Sequence, residues 1–311
     1  MPDLRQPSPT LVSPMPDTQP VHFVYHMSKC AGQTIHCHLS AHAPTGTYHR
    51  LKKRKGLSRF FLPRYDLAGM PSAEHLRAIG GHFIGTSIER CFSGRQINRS
   101  ILLRDPVSQF VSHYNFRMMR YLSQGLQTYS PEIAYQARPR NFITRYILRN
   151  FLEMSSLRLL SLSAQEKYAR VNQFLSTFWF VGDYTRCDEL IAALAPRLGA
   201  PATAMAQNTC AQWQHRVRWR PLRVDDLSPR MIDQMRQENE LDQLLWETWK
   251  DADQAKTGAR SLQFYEPSLP EFAARETLRF VSQVRRRFHR GWKLRSGGNL
   301  ITGTTLQPQR R

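Results

Sequence analysis

Residues 21–35 read VHFVYHMSKCAGQTI, and their character changes twice within this short stretch. The first seven, Val21–Met27, are rich in apolar, aromatic and β-branched residues, which predicts a strand. The polar loop Ser28–Gln33 follows, and Thr34 begins a segment that predicts a helix. A strand, a glycine-containing loop and a helix form the first half of a βαβ unit.

The loop between this strand and helix has the features of an anion-binding site. Backbone N–H groups at a strand-to-helix turn, backed by the positive end of a helix, attract phosphate. Lys29 adds a positive charge, Gly32 lets the backbone approach a phosphate, and Thr34 offers a hydroxyl. Because the lysine precedes the glycine, the loop departs from the GxxxxGK[ST] pattern of ATP-type NTPases. An ordinary turn is the alternative interpretation.

The rest of the chain alternates strand patterns with helix patterns. Further strands are predicted at 78–85, 100–104 and 178–181, and helices at 106–118, 140–152, 163–176, 189–198 and 228–250. Residues 46–65 are basic and predict an exposed loop. The alternation predicts an α/β fold with a central parallel sheet flanked by helices. The expected organisation is a disordered lead-in over 1–20, one domain over 21–256 and a basic extension over 257–311.

Positive charge dominates the composition. The 311 residues include 44 Lys and Arg against 24 Asp and Glu, a formal net charge of +20, which favours anionic partners. No run approaches the roughly 18 apolar residues that a membrane-spanning helix needs. Five widely spaced cysteines without a CxxC pair argue against a disulfide framework. Together with an N-terminus that lacks a secretory signal pattern, these features predict a cytoplasmic protein.

A second candidate anion site lies in residues 100–114, SILLRDPVSQFVSHY. Arg104 ends a predicted strand, and Pro106 suits the first turn of the helix that follows. Ser112 lies on that helix, so its side chain and that of Arg104 can converge on one phosphate, a group that arginine binds well. The competing interpretation is a surface pair of Arg104 with Asp105 and a solvated Ser112.

Together, FVYHMSKCAGQTI and SILLRDPVSQFVSHY resemble the 5′-phosphosulfate loop and the 3′-phosphate segment of PAPS-dependent sulfotransferases. The resemblance is to the branch that contains the heparan and chondroitin sulfate O-sulfotransferases and their bacterial relatives. Two further stretches support it: FWFVGDYTRCDELIAAL, and the block from NTCAQWQ to LLWETW that contains Asn239 and Asp242. The resemblance therefore spans residues 21–252. Ser28 and Gln33 depart from the family loop, where a proline and a hydroxyl residue usually stand.

This resemblance implies a P-loop-like fold and transfer of a sulfuryl group from PAPS (3′-phosphoadenosine 5′-phosphosulfate) to a hydroxyl, with release of adenosine 3′,5′-bisphosphate. The donor-binding residues that it implies are Lys29, Cys30, Ala31, Gly32, Gln33, Thr34, Arg104 and Ser112. Lys29 would also offset charge on the leaving phosphate oxygen. His82, in a Gly-His segment after the second strand, would be the catalytic base. Glu89 is the second candidate base, and a merely hydrogen-bonded histidine is the alternative for His82.

The acceptor that we expect is a carbohydrate or a glycolipid. The family chemistry needs no metal. His38 and His42 lie four residues apart with Cys37 nearby, but no carboxylate or third ligand stands at a recognisable metal spacing. A nucleic-acid-binding protein would also be basic, but no nucleic-acid-binding motif accompanies the charge. An inactive relative that binds a glycan is a further alternative. Residues 278–292 carry apolar residues at helical spacing among arginines, which predicts a helix that packs on the domain or lies peripherally on an anionic membrane.

Overall fold

The structure is a computed structural model that describes residues 19–53, 65–67, 69–203 and 220–251, without the side chains of residues 53, 156 and 157. The strands are β1 (Val21–Tyr25), β2 (Tyr48–Arg50), β3 (Lys52–Lys53), β4 (Tyr65–Asp66), β5 (Ala78–Gly81), β6 (Ile97–Leu103) and β7 (Phe180–Asp183). The α-helices are α1 (Gly32–His42), α2 (Pro106–Leu122), α3 (Pro131–Gln136), α4 (Phe142–Tyr146), α5 (Ser156–Ser161), α6 (Ala164–Leu175), α7 (Cys187–Leu194), α8 (Pro229–Glu238) and α9 (Glu240–Trp249). A π-helical stretch, Ile147–Phe151, continues α4, and 3₁₀ turns cover Thr86–Phe92, Tyr184–Arg186, Pro196–Leu198 and Val224–Asp226.

Five strands form one parallel sheet in the order β2-β5-β1-β6-β7. β1 lies at its centre, between β5 and β6, and all five of its residues are buried. Burial of a whole strand is typical of a parallel sheet that helices cover. The predicted α/β class, with a central parallel sheet flanked by helices, is confirmed.

The order in which the chain forms the strands makes the carboxyl edge of the sheet the expected position of a ligand. From β1 the chain passes through α1 to β2 and then to β5 on one side of β1, and it later crosses to β6 and β7 on the other side. In open α/β sheets, ligands bind in the crevice outside the carboxyl ends of the strands, where the strand order changes direction. The loop after β1, His82 after β5 and Arg104 after β6 all lie at this carboxyl edge.

The predicted elements agree with the structure in most places outside the basic segment. β1, β6 and β7, and the helices that follow them, occur near their predicted positions, and the helix predicted at 228–250 is divided at Asn239 into α8 and α9. The strand predicted at 78–85 ends at Gly81, so His82 follows it, and the 3₁₀ turn Thr86–Phe92 and the short helices α3 and α5 were not predicted. The loop predicted at 46–65 is wrong for residues 48–50, 52–53 and 65, which lie in strands. There β2 adds to the edge of the main sheet, and β3 pairs with β4 in a small antiparallel sheet. Short, charged edge strands of this kind carry too little pattern to be recognised.

A reciprocal set of hydrogen bonds joins the N-termini of α4 and α9. The carboxylate of Asp242 is 1% exposed and accepts bonds from the backbone N–H groups of Ile143 and Thr144, both at 2.8 Å, and from the Thr144 hydroxyl at 2.7 Å. In return, Asn141 Oδ1 accepts from the N–H of Asp242 at 3.3 Å, and Asn239 Oδ1 accepts from the N–H of Asn141 at 2.8 Å. Asn239 and Asp242, which the sequence singles out, thus cap and anchor α4.

The anchored helix in turn holds the segment that follows β5. The hydroxyl of Tyr146, the last residue of α4, donates to the backbone oxygen of His82 at 2.6 Å. The ring of Tyr146 packs edge-on against Phe151, which packs edge-on against Tyr25 of β1. The caps at the start of α4 therefore help to fix the backbone of His82.

Several predictions lie outside the described residues. These are the lead-in, apart from Gln19 and Pro20, and the basic extension 257–311 with its amphipathic helix. The described residues fall into two compact units: one contains those within 1–128 and 141–265, and the other contains 129–140, where α3 lies. The domain boundaries at 20 and 256 stay predictions.

Within the described ranges, no helix is long and apolar enough to cross a membrane.

We expect Asp242→Asn to lower the free energy of unfolding by about 1–3 kcal/mol, because an amide nitrogen would then face backbone N–H donors. Glu247→Gln is the matched control, since this exposed carboxylate of the same helix accepts only from the side chain of Gln243. Urea denaturation measures both variants. Equal stability of the two would contradict the anchoring role of Asp242.

Candidate functional site

The loop after β1 has a strained backbone. Lys29 and Ala31 have positive φ angles of 68° and 55°. The left-handed conformation costs about 1–2 kcal/mol for each residue other than glycine. The loop is closed by the N–H of Cys30, which donates to Met27 O at 3.3 Å, and by the N–H of Thr34, which donates to Ala31 O at 2.9 Å. Strain of this kind persists where the surrounding structure enforces it, and it is concentrated at functional sites.

The first turn of α1 presents the positive end of a helix at this loop. Ala31 is the N-cap residue, no side chain caps the helix, and the first turn contains no acidic residue. The first N–H groups of a helix have no partner within it. Uncapped N–H groups and the positive end of the helix dipole together favour an anion at this position.

Three of the loop residues named by the sequence have buried surroundings. A Cβ atom on Gly32 would lie 1.9 Å from Cδ2 of His26, so the packed imidazole itself requires glycine here. Cys30 is 1% exposed, with its Sγ donating to Ser28 O at 3.7 Å, and Thr34 is 7% exposed. The side chains of Cys30 and Thr34 therefore support the loop from within.

Arg104 connects the end of β6 to the loop. Its Nη1 donates to the backbone oxygen of Lys29 at 3.2 Å, its Nε donates to Ser108 Oγ at 2.8 Å, and its guanidinium lies 3.8 Å from the centroid of the Tyr184 ring. Asp105 caps α2 by accepting from the N–H of Ser108 at 2.7 Å, and among the described residues it forms no ion pair with Arg104. The alternative interpretation, a surface pair of Arg104 with Asp105, is therefore not what the structure has, while convergence of Arg104 and Ser112 on one phosphate stays a prediction.

One face of α2 lies along the loop. Ser108, Ser112 and Phe116 are spaced four residues apart and so share a side of the helix. Arg104 bonds Ser108 at one end of this row, and the ammonium of Lys29 lies 4.4 Å from the ring centroid of Phe116 at the other. The half-buried Ser112 therefore lies between the two cations, where its hydroxyl can reach a group that binds both.

His82 lies directly after β5 and stacks on His26. Its Nδ1–H donates to the backbone oxygen of His26 at 3.1 Å, and the two rings lie 3.7 Å apart at 25°. Since a carbonyl only accepts, Nδ1 carries the proton of the neutral ring and Nε2 carries the lone pair. Burial lowers the pKa of His82 to about 4. The bond to His26 acts in the opposite direction, and the charges of Arg50 and Lys29 lower the pKa further. His82 is therefore neutral at neutral pH and can accept a proton at Nε2.

Two more buried imidazoles extend this cluster. The rings of His26 and His36 lie 4.8 Å apart, and Nδ1 of His36 shares a hydrogen bond with the hydroxyl of Tyr48. Burial, and then the charges of His82, His36, Arg50 and Lys29, lower the pKa of His26 well below its usual value. Burial likewise lowers the pKa of His36 to about 3. The three histidines form a neutral cluster beside positive side chains.

Glu89, the second candidate base, is engaged in a bidentate ion pair. Arg99 donates to its carboxylate from Nε at 2.7 Å and from Nη2 at 2.6 Å, and the Tyr25 hydroxyl donates at 2.8 Å. These bonds occupy both carboxylate oxygens and connect Tyr25 of β1 with Arg99 of β6. The geometry thus favours His82 over Glu89 as a proton acceptor.

The structure adds site residues that sequence reasoning missed. Gln109 is fully buried and donates to Ser28 O at 2.9 Å, and Arg50 donates to Gln33 Oε1 at 2.8 Å. Tyr184 directly follows β7 and comes three residues after the strand predicted at 178–181, so that prediction already indicated a position close to the carboxyl edge. The sequence pattern did not indicate Gln109 or Arg50. Gln109 lies off the apolar stripe of α2, and Arg50 lies in a strand of only three residues.

The histidines of α1 have a simpler environment. His38 shares a hydrogen bond with the backbone oxygen of Pro201 at 2.7 Å, and its ring lies 4.9 Å from that of His42. Within the described ranges, no group of three His, Cys, Asp or Glu side chains is placed to hold a metal. The cysteines in those ranges, Cys30, Cys37, Cys91 and Cys187, are free thiols.

Comparison with known proteins adds no family to this geometry, since no protein-family model and no curated protein matches the chain. What the fold and the site define is an α/β protein with positively charged side chains at the carboxyl edge of its parallel sheet. An uncapped helix N-terminus, Lys29 and Arg104 favour anions there, and the neutral His82 lies beside them.

Proposed function

We propose that the chain is a sulfotransferase that moves a sulfuryl group from PAPS to a hydroxyl of a carbohydrate or glycolipid. The observation that carries this proposal is the 3.2 Å hydrogen bond from Arg104 to the backbone oxygen of Lys29. It joins two segments, 75 residues apart, that resemble the 3′-phosphate and 5′-phosphosulfate segments of such enzymes. The order of β1, strained loop and α1 supports a P-loop-like fold as part of the same proposal.

The residues present fit a nucleotide with an anionic group at each end. The uncapped N–H groups at the start of α1, with Lys29, would hold the 5′-phosphosulfate. Arg104 and Ser112 would hold the 3′-phosphate. Stacking on Tyr184 and the bond to Ser108 restrict the guanidinium, and a restricted arginine loses less entropy when it pairs with a phosphate.

PAPS, when bound, supplies a sulfuryl group on a phosphate leaving group. Nε2 of His82 would accept the proton of the acceptor hydroxyl as its oxygen bonds to sulfur and the bond from sulfur to the phosphate oxygen breaks. Lys29 would offset the negative charge that remains on that oxygen, and charge stabilisation of this kind is a large part of catalysis. The chain's contribution is alignment, charge and one proton transfer.

An anionic donor also improves His82 as a base. In the protein alone, burial and the charges of Arg50 and Lys29 hold its pKa near 4. The negative charge of a donor bound at Lys29 would oppose the effect of these cations and raise that pKa. General bases are most effective when their pKa lies near the working pH. Donor binding would therefore prepare the imidazole for its proton.

The donor site is tested with adenosine 3′,5′-bisphosphate and labelled PAPS. We expect the nucleotide to raise the melting temperature more than a random oligonucleotide does. Arg104→Ala should weaken nucleotide binding by roughly 10–100-fold, the effect of losing a charged hydrogen bond. Lys29→Ala should also slow transfer, because its charge matters most as the leaving group departs.

Arg158→Ala, which removes an exposed arginine of α5, is the control for total charge and should bind the nucleotide as the wild type does. Wild-type affinity and rate in both Lys29→Ala and Arg104→Ala would contradict the site. Stronger stabilisation by the oligonucleotide would favour a nucleic-acid-binding protein, and nucleotide binding without turnover of PAPS over a range of acceptors would favour an inactive relative.

The base is tested by His82→Ala. We expect turnover to fall by about 10²–10⁴-fold, the usual contribution of general base catalysis, with nucleotide binding nearly unchanged. His75→Ala, at an exposed histidine that bonds Ser72, is the control and should keep full turnover. Steady-state rates at saturating PAPS measure both, and a loss below about threefold in His82→Ala would assign the proton transfer elsewhere.

A further inference from the structure

Glu153 has a backbone conformation that suits glycine rather than glutamate. Its φ angle is 56°, in the left-handed region, and it follows Leu152, which ends the π-helical stretch Ile147–Phe151. The first residue past the end of a helix often takes this conformation, and it is then usually glycine. The turn is closed by the N–H of Met154, which donates to Leu148 O at 2.9 Å. Strain of this kind needs a compensating contact, and the Glu153 side chain provides one.

Both carboxylate oxygens of Glu153 accept from one residue, Ser87. The backbone N–H of Ser87 donates to Oε2 at 2.8 Å, and its hydroxyl donates to Oε1 at 2.9 Å. Because that hydroxyl hydrogen is used, the Tyr65 hydroxyl donates to Ser87 Oγ at 2.6 Å. A Cβ atom on Gly85 would lie 2.2 Å from the carboxyl carbon of Glu153, so this approach requires glycine at position 85. Among the described residues Glu153 forms no ion pair, and its carboxylate therefore serves to hold Ser87.

Ser87 ends the short segment that begins with His82 after β5. Tyr146, which precedes the π-helical stretch, donates to the backbone oxygen of His82 at 2.6 Å. Glu153, which follows that stretch, accepts from the N–H of Ser87. π-helical turns occur frequently at functional sites. Here the two ends of such a turn hold the two ends of residues 82–87.

We propose that Glu153 is a positioning residue for His82. By fixing Ser87, it holds the segment after β5 on the path in which the His82 ring stacks on His26 and donates from Nδ1 to the His26 backbone oxygen. This bond leaves the lone pair on Nε2. A reacting group displaced by about 1 Å can lose about 10²-fold in rate. The importance of Glu153 for proton transfer rests on the proposed function, whereas its effect on the position of the His82 ring does not.

Glu153→Gly and Glu153→Ala in the full chain separate positioning from stability. Both remove the carboxylate, but glycine relieves the strained backbone and alanine keeps it. We expect a higher melting temperature for Glu153→Gly than for Glu153→Ala, while both lose turnover by at least about tenfold with the affinity for adenosine 3′,5′-bisphosphate unchanged. Thermal melting and steady-state rates at saturating PAPS measure these effects. Turnover that follows the melting temperature, with Glu153→Gly close to the wild type, would contradict positioning and indicate a purely structural residue.

Glu153→Gln is the conservative variant. Its amide oxygen can still accept from the Ser87 N–H, and its amide nitrogen can donate to Ser87 Oγ. We therefore expect it to retain most of the turnover that Glu153→Gly loses, and an equally large loss would contradict positioning through Ser87. Glu74→Ala, which removes an exposed carboxylate from a turn, is the control for net charge and should behave as the wild type does.

NMR of the His82 ring nitrogens tests the inference without any turnover. At neutral pH the wild type should carry the ring proton on Nδ1, and Glu153→Gly and Glu153→Ala should lose this preference while Glu153→Gln keeps it. If the wild type neither binds the nucleotide nor uses PAPS, the proposed function is wrong, and the position of the ring proton still tests Glu153. If Glu153→Gly keeps the proton on Nδ1 as the wild type does, the inference is overturned whatever the turnover.

Discussion

Positive charge collects at the carboxyl edge of the sheet because parallel strands end there together. β2 ends at Arg50, the loop after β1 carries Lys29, β6 is followed by Arg104, and α1 adds the positive end of its dipole. Among the described residues, neither arginine pairs with a carboxylate, and burial keeps His82 neutral. A bound anion would supply the negative charge that this edge lacks, and the proposed chemistry depends on that binding.

The surrounding structure stabilises this edge, where positive charges repel one another and the loop backbone at Lys29 and Ala31 is strained. α2 contacts the loop in two ways. Gln109 donates to Ser28 O, and Ser108 accepts from Arg104, which in turn donates to Lys29 O. On the other side of β1, Tyr146 holds the backbone of His82, and Asp242 anchors the helix that carries Tyr146. The bond to Ser108 fixes the guanidinium of Arg104, and the other contacts fix backbone positions, so the site keeps its geometry without a ligand. Such preorganisation lowers the cost of binding.

The sequence indicated a residue of the candidate site where a chemically distinctive side chain follows a recognisable strand pattern. The apolar run before Ser28 and the SILLRDP segment predicted two strand ends, and the topology of a parallel sheet then placed His82 and Arg104 at one edge. Arg50 was missed because its strand is formed by pairing with β5 and has no pattern of its own. The need for glycine at position 32 was attributed to a phosphate, whereas the ring of His26 also demands it. Such close approaches depend on neighbours distant in sequence, which no local pattern records.

The measurement that tests the central claim most directly is calorimetric binding of adenosine 3′,5′-bisphosphate and of adenosine 5′-phosphate, which differ only by the 3′-phosphate assigned to Arg104. The account predicts that the wild type binds the bisphosphate about tenfold or more tightly, as a charged hydrogen bond implies, and that Arg104→Ala removes this preference. Equal affinity of the wild type for the two nucleotides, or a preference that survives in Arg104→Ala, would contradict it.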